Sequence, residues 1–267
     1  MIKETIKIII AGTLFFSLGA TANAVDKKSS TEPLVSTKEG RLIDLAGKQR
    51  MLSQRIAKDY FYAGKKINKG KAVKQLKQSL VHFKRTQKKL NTEIKDSEII
   101  NLIAFVDMSL EEFDTLSKEE YSIDNGTIIL DLSESMLEGS DYIVQALTKE
   151  KVSNEIIDIA GKQRMLSQRI AKYYIAYQAG IKDDNTITQM QESVKEFNSI
   201  LQKLLTNKDN SKEIQDELKK VDKMWKIVYK FYLNIKKGGL PKIVFSTTDD
   251  ITDKMNSIVT LYVASGR

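Results

Sequence analysis

The sequence predicts an all-α protein made of two tandem antiparallel four-helix bundle modules. Three observations carry that expectation. Residues 46–58 read AGKQRMLSQRIAK and residues 160–172 repeat the same letters, thirteen consecutive identities at an offset of 114. Self-similarity at a fixed offset marks a duplicated structural unit. Proline occurs only at Pro33 and Pro241, and Leu, Ile, Lys, Glu and Gln abound, a composition that favours helix. Apolar residues recur at helical spacing in separate stretches bounded by turn residues.

In chain order, the first element is an expected signal peptide, residues 1–24. Lys3 and Lys7 precede an apolar run from Ile8 to Leu18, and Ala22-Asn23-Ala24 closes it in the A-x-A manner. That run is shorter than the about 20 apolar residues a membrane-spanning helix needs. A polar leader, residues 25–38, follows. The first module is placed at 39–150, with helices near 39–66, 70–93, 96–118 and 126–150. The second is placed at 151–267, with helices near 152–180, 184–206, 210–236 and 245–264. Breaks are expected at Gly70, Asp124-Asn125-Gly126, Asp183-Asp184-Asn185 and Gly238-Gly239-Leu240-Pro241. Nothing between Glu150 and Asn154 resembles a flexible linker, so the fourth helix is expected to run into the fifth. Outside the identical segment the copies drift but stay in step. Phe83 faces Phe197 at 114, and Ile143-Val144 faces Ile258-Val259 at 115.

Composition narrows the function. The chain has no cysteine and one histidine, His82. Disulfides, thiolate metal sites and a lipid-modified cysteine are excluded, and zinc or Ser-His chemistry has little to work with. No phosphate loop, H-E-x-x-H or G-x-S-x-G motif appears. No enzyme activity, no cofactor and no metal are therefore expected. The formal charge of +8 drops to about +7 once Lys3, Lys7 and Glu4 are removed. In an exported protein such a balance suits anions or acidic surfaces better than nucleic acid. The tyrosines Tyr60, Tyr62, Tyr173, Tyr174 and Tyr177 and the lone Trp225 read as core or rim packing.

On a helical wheel the repeated segment has two stripes. Leu45, Leu52 and Ile56 form a core stripe. Gly47, Arg50, Gln54 and Ala57 form a second, matched by Gly161, Arg164, Gln168 and Ala171. Lys48 and Arg55 point away and are expected to face water. Small residues around one arginine and one glutamine let another helix approach, and a guanidinium desolvated there needs an acceptor. Two readings follow. Either Arg50 and Arg164 are structural and pair with acids such as Asp107 and Asp222, or both converge on one anion.

The doubled AGKQRMLSQRIAK resembles the start of the PilJ-type sensory domain, found at the N-terminus of type IV pilus chemotaxis transducers. It is also similar to the P-box of NarX-like nitrate/nitrite sensors. The resemblance implies a periplasmic four-helix sensory bundle. It further implies that a nitrate would lie between two such helices, held by Arg50 and Arg164 beside Gly47 and Gly161. On this reading the two guanidinium groups repel until an anion joins them, and the chain is a linked pseudo-dimer with its axis near the two glycines. Gln54 and Gln168 complete the candidate ligand set. The expected partners are a small anion, nitrate, nitrite or a carboxylate, and a membrane receptor or pilus-associated protein. The alternative is a non-catalytic interaction module that docks on a pilus, envelope or receptor partner without a small ligand.

Overall fold

A computed structural model describes residues 38–148 and 155–265, so the expected signal peptide, the leader up to residue 37 and the junction between the modules lie outside the described residues. The described residues are mostly helical and contain no strand. Helices α1 (Lys38–Gly64), α2 (Lys69–Glu93), α3 (Ser97–Leu116) and α4 (Ile123–Thr148) form the first repeat. Helices α5 (Glu155–Ala179), α6 (Asp184–Thr206), α7 (Lys212–Leu233) and α8 (Pro241–Ala264) form the second.

Local chemistry sets most of the boundaries. Asp96 caps α3 by accepting from the amides of Glu98 and Ile99, Asp183 caps α6 through Thr186, and Ser211 caps α7 through Ile214. Each cap satisfies donors that the first helical turn leaves without partners. After α7 a 3-10 turn at Ile235–Lys237 leads to Gly238 and Gly239, and Pro241 opens α8.

Two expected breaks are not breaks. Gly70 lies in the first turn of α2, and Asp124-Asn125-Gly126 lies in the first turn of α4. Gly126 serves packing instead of turning: a Cβ there would stand 2.8 Å from the Phe61 ring of α1. The glycine lets an aromatic side chain reach the α4 backbone.

Each repeat closes in the order of its sequence. In the first, α1 packs on α2 and α4, α3 on α4, and α2 on α3; in the second, α5 packs on α6 and α8, and α7 on both of those. The largest contact of all joins α1 to α5. The four central helices thus run in the order α4, α1, α5, α8, with the other four outside. Side-chain partners show neighbours running antiparallel: Arg50 meets Asp141 while Gln54 meets Ser133, and Arg164 meets Asn256 while Gln168 meets Thr252.

Being central, α1 and α5 are buried on nearly every side although their sequences are polar. Gln49, Ser53, Gln54 and Lys58 are all fully enclosed, as are Gln163, Gln168 and Lys172. Buried polar groups need internal partners. Gln49 and Gln163 play the same part in both repeats, each donating to the carbonyl of the matching phenylalanine, Phe83 or Phe197. The five tyrosines and Trp225 are buried as expected for packing; Trp225 stacks on Phe197 and donates to Asn198.

Candidate functional site

Helices α1 and α5 run parallel, side by side, since Glu134 of α4 and Asp249 of α8 bring matched residues of the two to one level. Their closest approach is at two glycines. A Cβ built on Gly47 would stand 3.6 Å from Nη2 of Arg50 and 3.7 Å from Nη2 of Arg164. One built on Gly161 would stand 3.2 Å from Nη2 of Arg164 and 3.9 Å from that of Arg50. Both guanidinium groups therefore share one small volume, which the missing side chains leave open. Each arginine is only 3% exposed.

The charges there are already compensated. Arg50 donates to Asp158 at 2.6 Å and to Asp141 at 2.8 Å. Arg164 donates to Asn256 at 3.2 Å and, more loosely, to Asp44 at 3.5 Å. Asp44 also holds Lys48 at 2.6 Å. Carboxylates of this chain thus offset much of the repulsion between the two guanidinium groups. The acids are not those named from sequence. Asp107 accepts from Gln87 and Asp222 from Lys226, both away from the arginines.

The pairing is crosswise, and spacing explains it. In each copy an aspartate precedes the glycine by three residues and the arginine follows it by three. With the two segments side by side and parallel, each arginine leans back towards its own helix N-terminus, past the glycines, and so reaches the aspartate of the other copy. The α4 and α8 partners break the symmetry, because Asp141 in the first repeat corresponds to Asn256 in the second. Burial lowers the affinity of both guanidinium groups for the proton. For Arg50 the two carboxylates outweigh it and raise the pKa. For Arg164 burial wins over Asp44, helped by the charge of Arg50, and the pKa falls. Arg164 is the less compensated of the two.

Gln54 and Gln168, the remaining residues singled out from sequence, donate to α4 and α8. Gln54 bonds the Ser133 carbonyl at 2.9 Å, and Gln168 bonds the Thr252 hydroxyl at 2.7 Å. They tie each repeated helix to the last helix of its own repeat.

A second crosswise layer, not anticipated from sequence, lies two turns further on. Lys172 of α5 is fully buried and bonds Glu134 of α4 together with the Ser133 hydroxyl, and Arg169 joins it on Glu134. Lys58 of α1 is equally buried and bonds Asp249 of α8 at 2.6 Å. Glu134 and Asp249 are matched positions, so the last helix of each repeat holds the first helix of the other. The only sequence signal was that Lys58 and Lys172 end the identical stretch.

The family model described as type IV pili methyl-accepting chemotaxis transducer N-terminal, PilJ, matches residues 35–98 and 146–235, more than half of the chain. The chain belongs to the PilJ family. Both PilJ matches begin shortly before a repeated helix, in agreement with two tandem copies. No curated protein and no solved structure matches the chain. Among the described residues no cluster of His, Asp and Glu could hold a metal ion, and no helix is long and apolar enough to cross a membrane.

One acid in this PilJ protein stands apart from the paired scheme. Asp59 is fully buried, accepts no hydrogen bond among the described residues, and has Lys58 Nζ at 3.4 Å. Burial pushes its carboxyl up to about 7, with Lys58 pulling the other way and Asp249 adding to the rise. A folded-state value above the ordinary 3.8 means the folded chain holds this proton more tightly. Its contribution is therefore complete at acid pH and is lost as pH rises towards 7. Asp59→Asn is expected to raise the melting temperature by several degrees at pH 8 and to change it little at pH 4. Circular dichroism melts at the two pH values check this, and an equal change at both would refute the assignment.

Proposed function

We propose that this protein is an exported, periplasmic ligand-binding module of the sensory type, without catalysis, that takes a small anion at Arg50 and Arg164. The observation that carries the reading is the convergence of two buried guanidinium groups on Gly47 and Gly161. Membership of a chemotaxis-transducer family supports the sensory part, and the Lys3-to-Ala24 segment supports export. Nitrate and nitrite are the first candidates, a small carboxylate the next.

The internal carboxylates turn such a site into a switch. Asp44 and Asp158 act as resident anions that tie α1 to α5. A ligand bound between the arginines would displace them, and the freed carboxylates would change how the two helices hold each other. Planar oxyanions suit this role because a guanidinium fork binds them through two parallel hydrogen bonds. A receptor or pilus-associated partner would read the altered α1–α5 contact. The opposite reading, a docking module with no small ligand, is favoured by the fact that each arginine already has partners inside the chain.

A melting series with nitrate, nitrite and acetate separates the two, since a ligand that binds only the folded state stabilises it by about 2.7 kcal/mol at a hundred times its Kd. One anion is expected to raise the melting temperature saturably. Arg50→Ala and Arg164→Ala should each abolish that rise, and Asp158→Asn should strengthen it by removing the internal competitor. No stabilisation by any of the three anions would leave the docking reading standing.

A further inference from the structure

A cavity of about 430 Å³ opens between α1, α2 and α8, on one side of the arginine crossing. Its walls are apolar at Met51, Leu52, Val259 and Val263 and basic at Lys48, Arg55 and His82; at the end where it reaches Arg164 it also meets Asp44, which is bonded to Lys48. Arg55 is the unusual member. It makes no hydrogen bond or ion pair among the described residues, and its Nε is buried without an acceptor. A guanidinium so placed is costly unless something supplies negative charge.

The other repeat shows what normally does so. The matched arginine, Arg169, bonds Glu134, Gln189 and Ser193. The counterpart of Glu134 is Asp249, one methylene shorter, and it is occupied by Lys58, Lys71 and Gln75. Arg55 is left out. The matched lysine, Lys162, is neutralised at 2.5 Å by Glu196, whose counterpart in the first repeat is His82. Gln78 likewise replaces Glu192. At the matched positions one repeat carries acids that pair its basic groups; the other carries His82 and Gln78, so that Lys48 turns to Asp44 of its own helix at 2.6 Å and Arg55 has no bonded acid.

We infer that this cavity is a second binding site, adjoining the arginine pair, and that it takes an organic acid: a carboxylate carried on a short apolar body. The carboxylate meets Arg55, with Lys48 and His82 at the rim, and the apolar body lies on Met51, Leu52 and the two α8 valines. The volume falls in the range of sites for small organic ligands, about 300–1,000 Å³, and an inorganic oxyanion would fill little of it. Because α8 belongs to the second repeat, an occupant bridges the two repeats as well. One site per chain is the consequence of His82 and Gln78 standing in place of acids.

His82 is the only histidine, so its ring reports the site without interference. Partial burial and the charges of Arg85, Lys48 and Arg55 hold its pKa below the ordinary value. Adding a carboxylate beside these cations should raise it. The experiment is an NMR titration of the imidazole signals in the full chain, with succinate and with benzoate as probes and nitrate as control. At least one organic acid is expected to move the signals saturably and to raise the ring's pKa. Arg55→Ala should weaken that binding at least tenfold, whereas Arg50→Ala, outside the cavity, should leave it unchanged. In melting curves His82→Glu, which copies the second repeat, should remove the stabilisation by the same acid. Signals that stay still with both acids, or binding that survives Arg55→Ala unaltered, would overturn the assignment. The arginine-crossing site fails or stands separately, because its readout is lost in Arg50→Ala and kept in Arg55→Ala.

Discussion

Glu134→Ala is expected to cost about 3–5 kcal/mol, the usual loss when one partner of a buried ion pair is removed. The change strands Lys172, which has no exposed side-chain surface and keeps the Ser133 hydroxyl at 2.9 Å and the face of the Tyr173 ring but no acid. It also removes the main anchor of Arg169, the only acid that arginine pairs with among the described residues. Burial tends to raise the Glu134 carboxyl, but Lys172 and Arg169 outweigh it and hold it at about 2. Asp249 is likewise held at about 2, against burial, by Lys58, Arg55 and Lys71. Both folded values lie below the ordinary ones, 4.5 and 3.8, so the stability these acids add is complete above those values. It is lost as pH falls from about 4.5 towards 2. Chemical denaturation at pH 7 tests the first point and an acid titration the second. Glu134→Gln should flatten part of the acid transition. Replacing the pair by apolar residues, Glu134→Leu with Lys172→Met, should recover much of the loss, because the desolvation of both charges disappears. A Glu134→Ala protein within 1 kcal/mol of the parent would show that Lys172 finds another partner or is reached by water.

Asp158→Arg is expected to have the next largest effect, a loss of several kcal/mol with the two repeats coming apart more readily under denaturant. It replaces the closest acceptor of the buried Arg50 by a third guanidinium beside the pair, and like charges there repel, with partial screening because position 158 is about a third exposed. Arg50→Asp in the same chain reverses the pair without removing it. The double variant should regain more than half of what the single variant loses, a coupling that a double-mutant cycle reads directly. Additive losses would mean that the Arg50–Asp158 contact does not hold α1 to α5. Because Arg50 also bonds Asp141, full recovery is not expected.

The crosswise layers were half legible in the sequence. Asp44-x-x-Gly47-x-x-Arg50 and its copy at Asp158, Gly161 and Arg164 contain the whole pairing rule, since in a parallel pair an arginine that leans back over the glycines meets the aspartate of the other copy. Helical-wheel reading, applied to one helix at a time, finds the arginine stripe but not the acid that a second copy delivers. Asp141 and Asn256 were beyond reach for a different reason: they come from the fourth helices, whose rotation about their own axes is set by packing. Arg55 illustrates the limit best. Its place on the wheel is indistinguishable from that of Arg169, and both point away from the arginine stripe. One meets a glutamate long enough to reach it, the other an aspartate already taken.

The sequence by itself determined the helical class, the duplication and the residues of the crossing, because periodicity, scarce proline and thirteen repeated letters are local properties. Membership of the PilJ family is legible at the same level, in the segment AGKQRMLSQRIAK. Only the tertiary structure decided that α1 and α5 cross at their glycines and that each arginine is held by the other repeat. It also decided that Arg55 has no bonded acid while its counterpart Arg169 is paired with Glu134. The physical reason is that charge compensation depends on which side chains arrive from distant helices and how far each can reach. A single methylene between Asp249 and Glu134, and an imidazole in place of the Glu196 carboxylate, separate an open basic site from a neutral one.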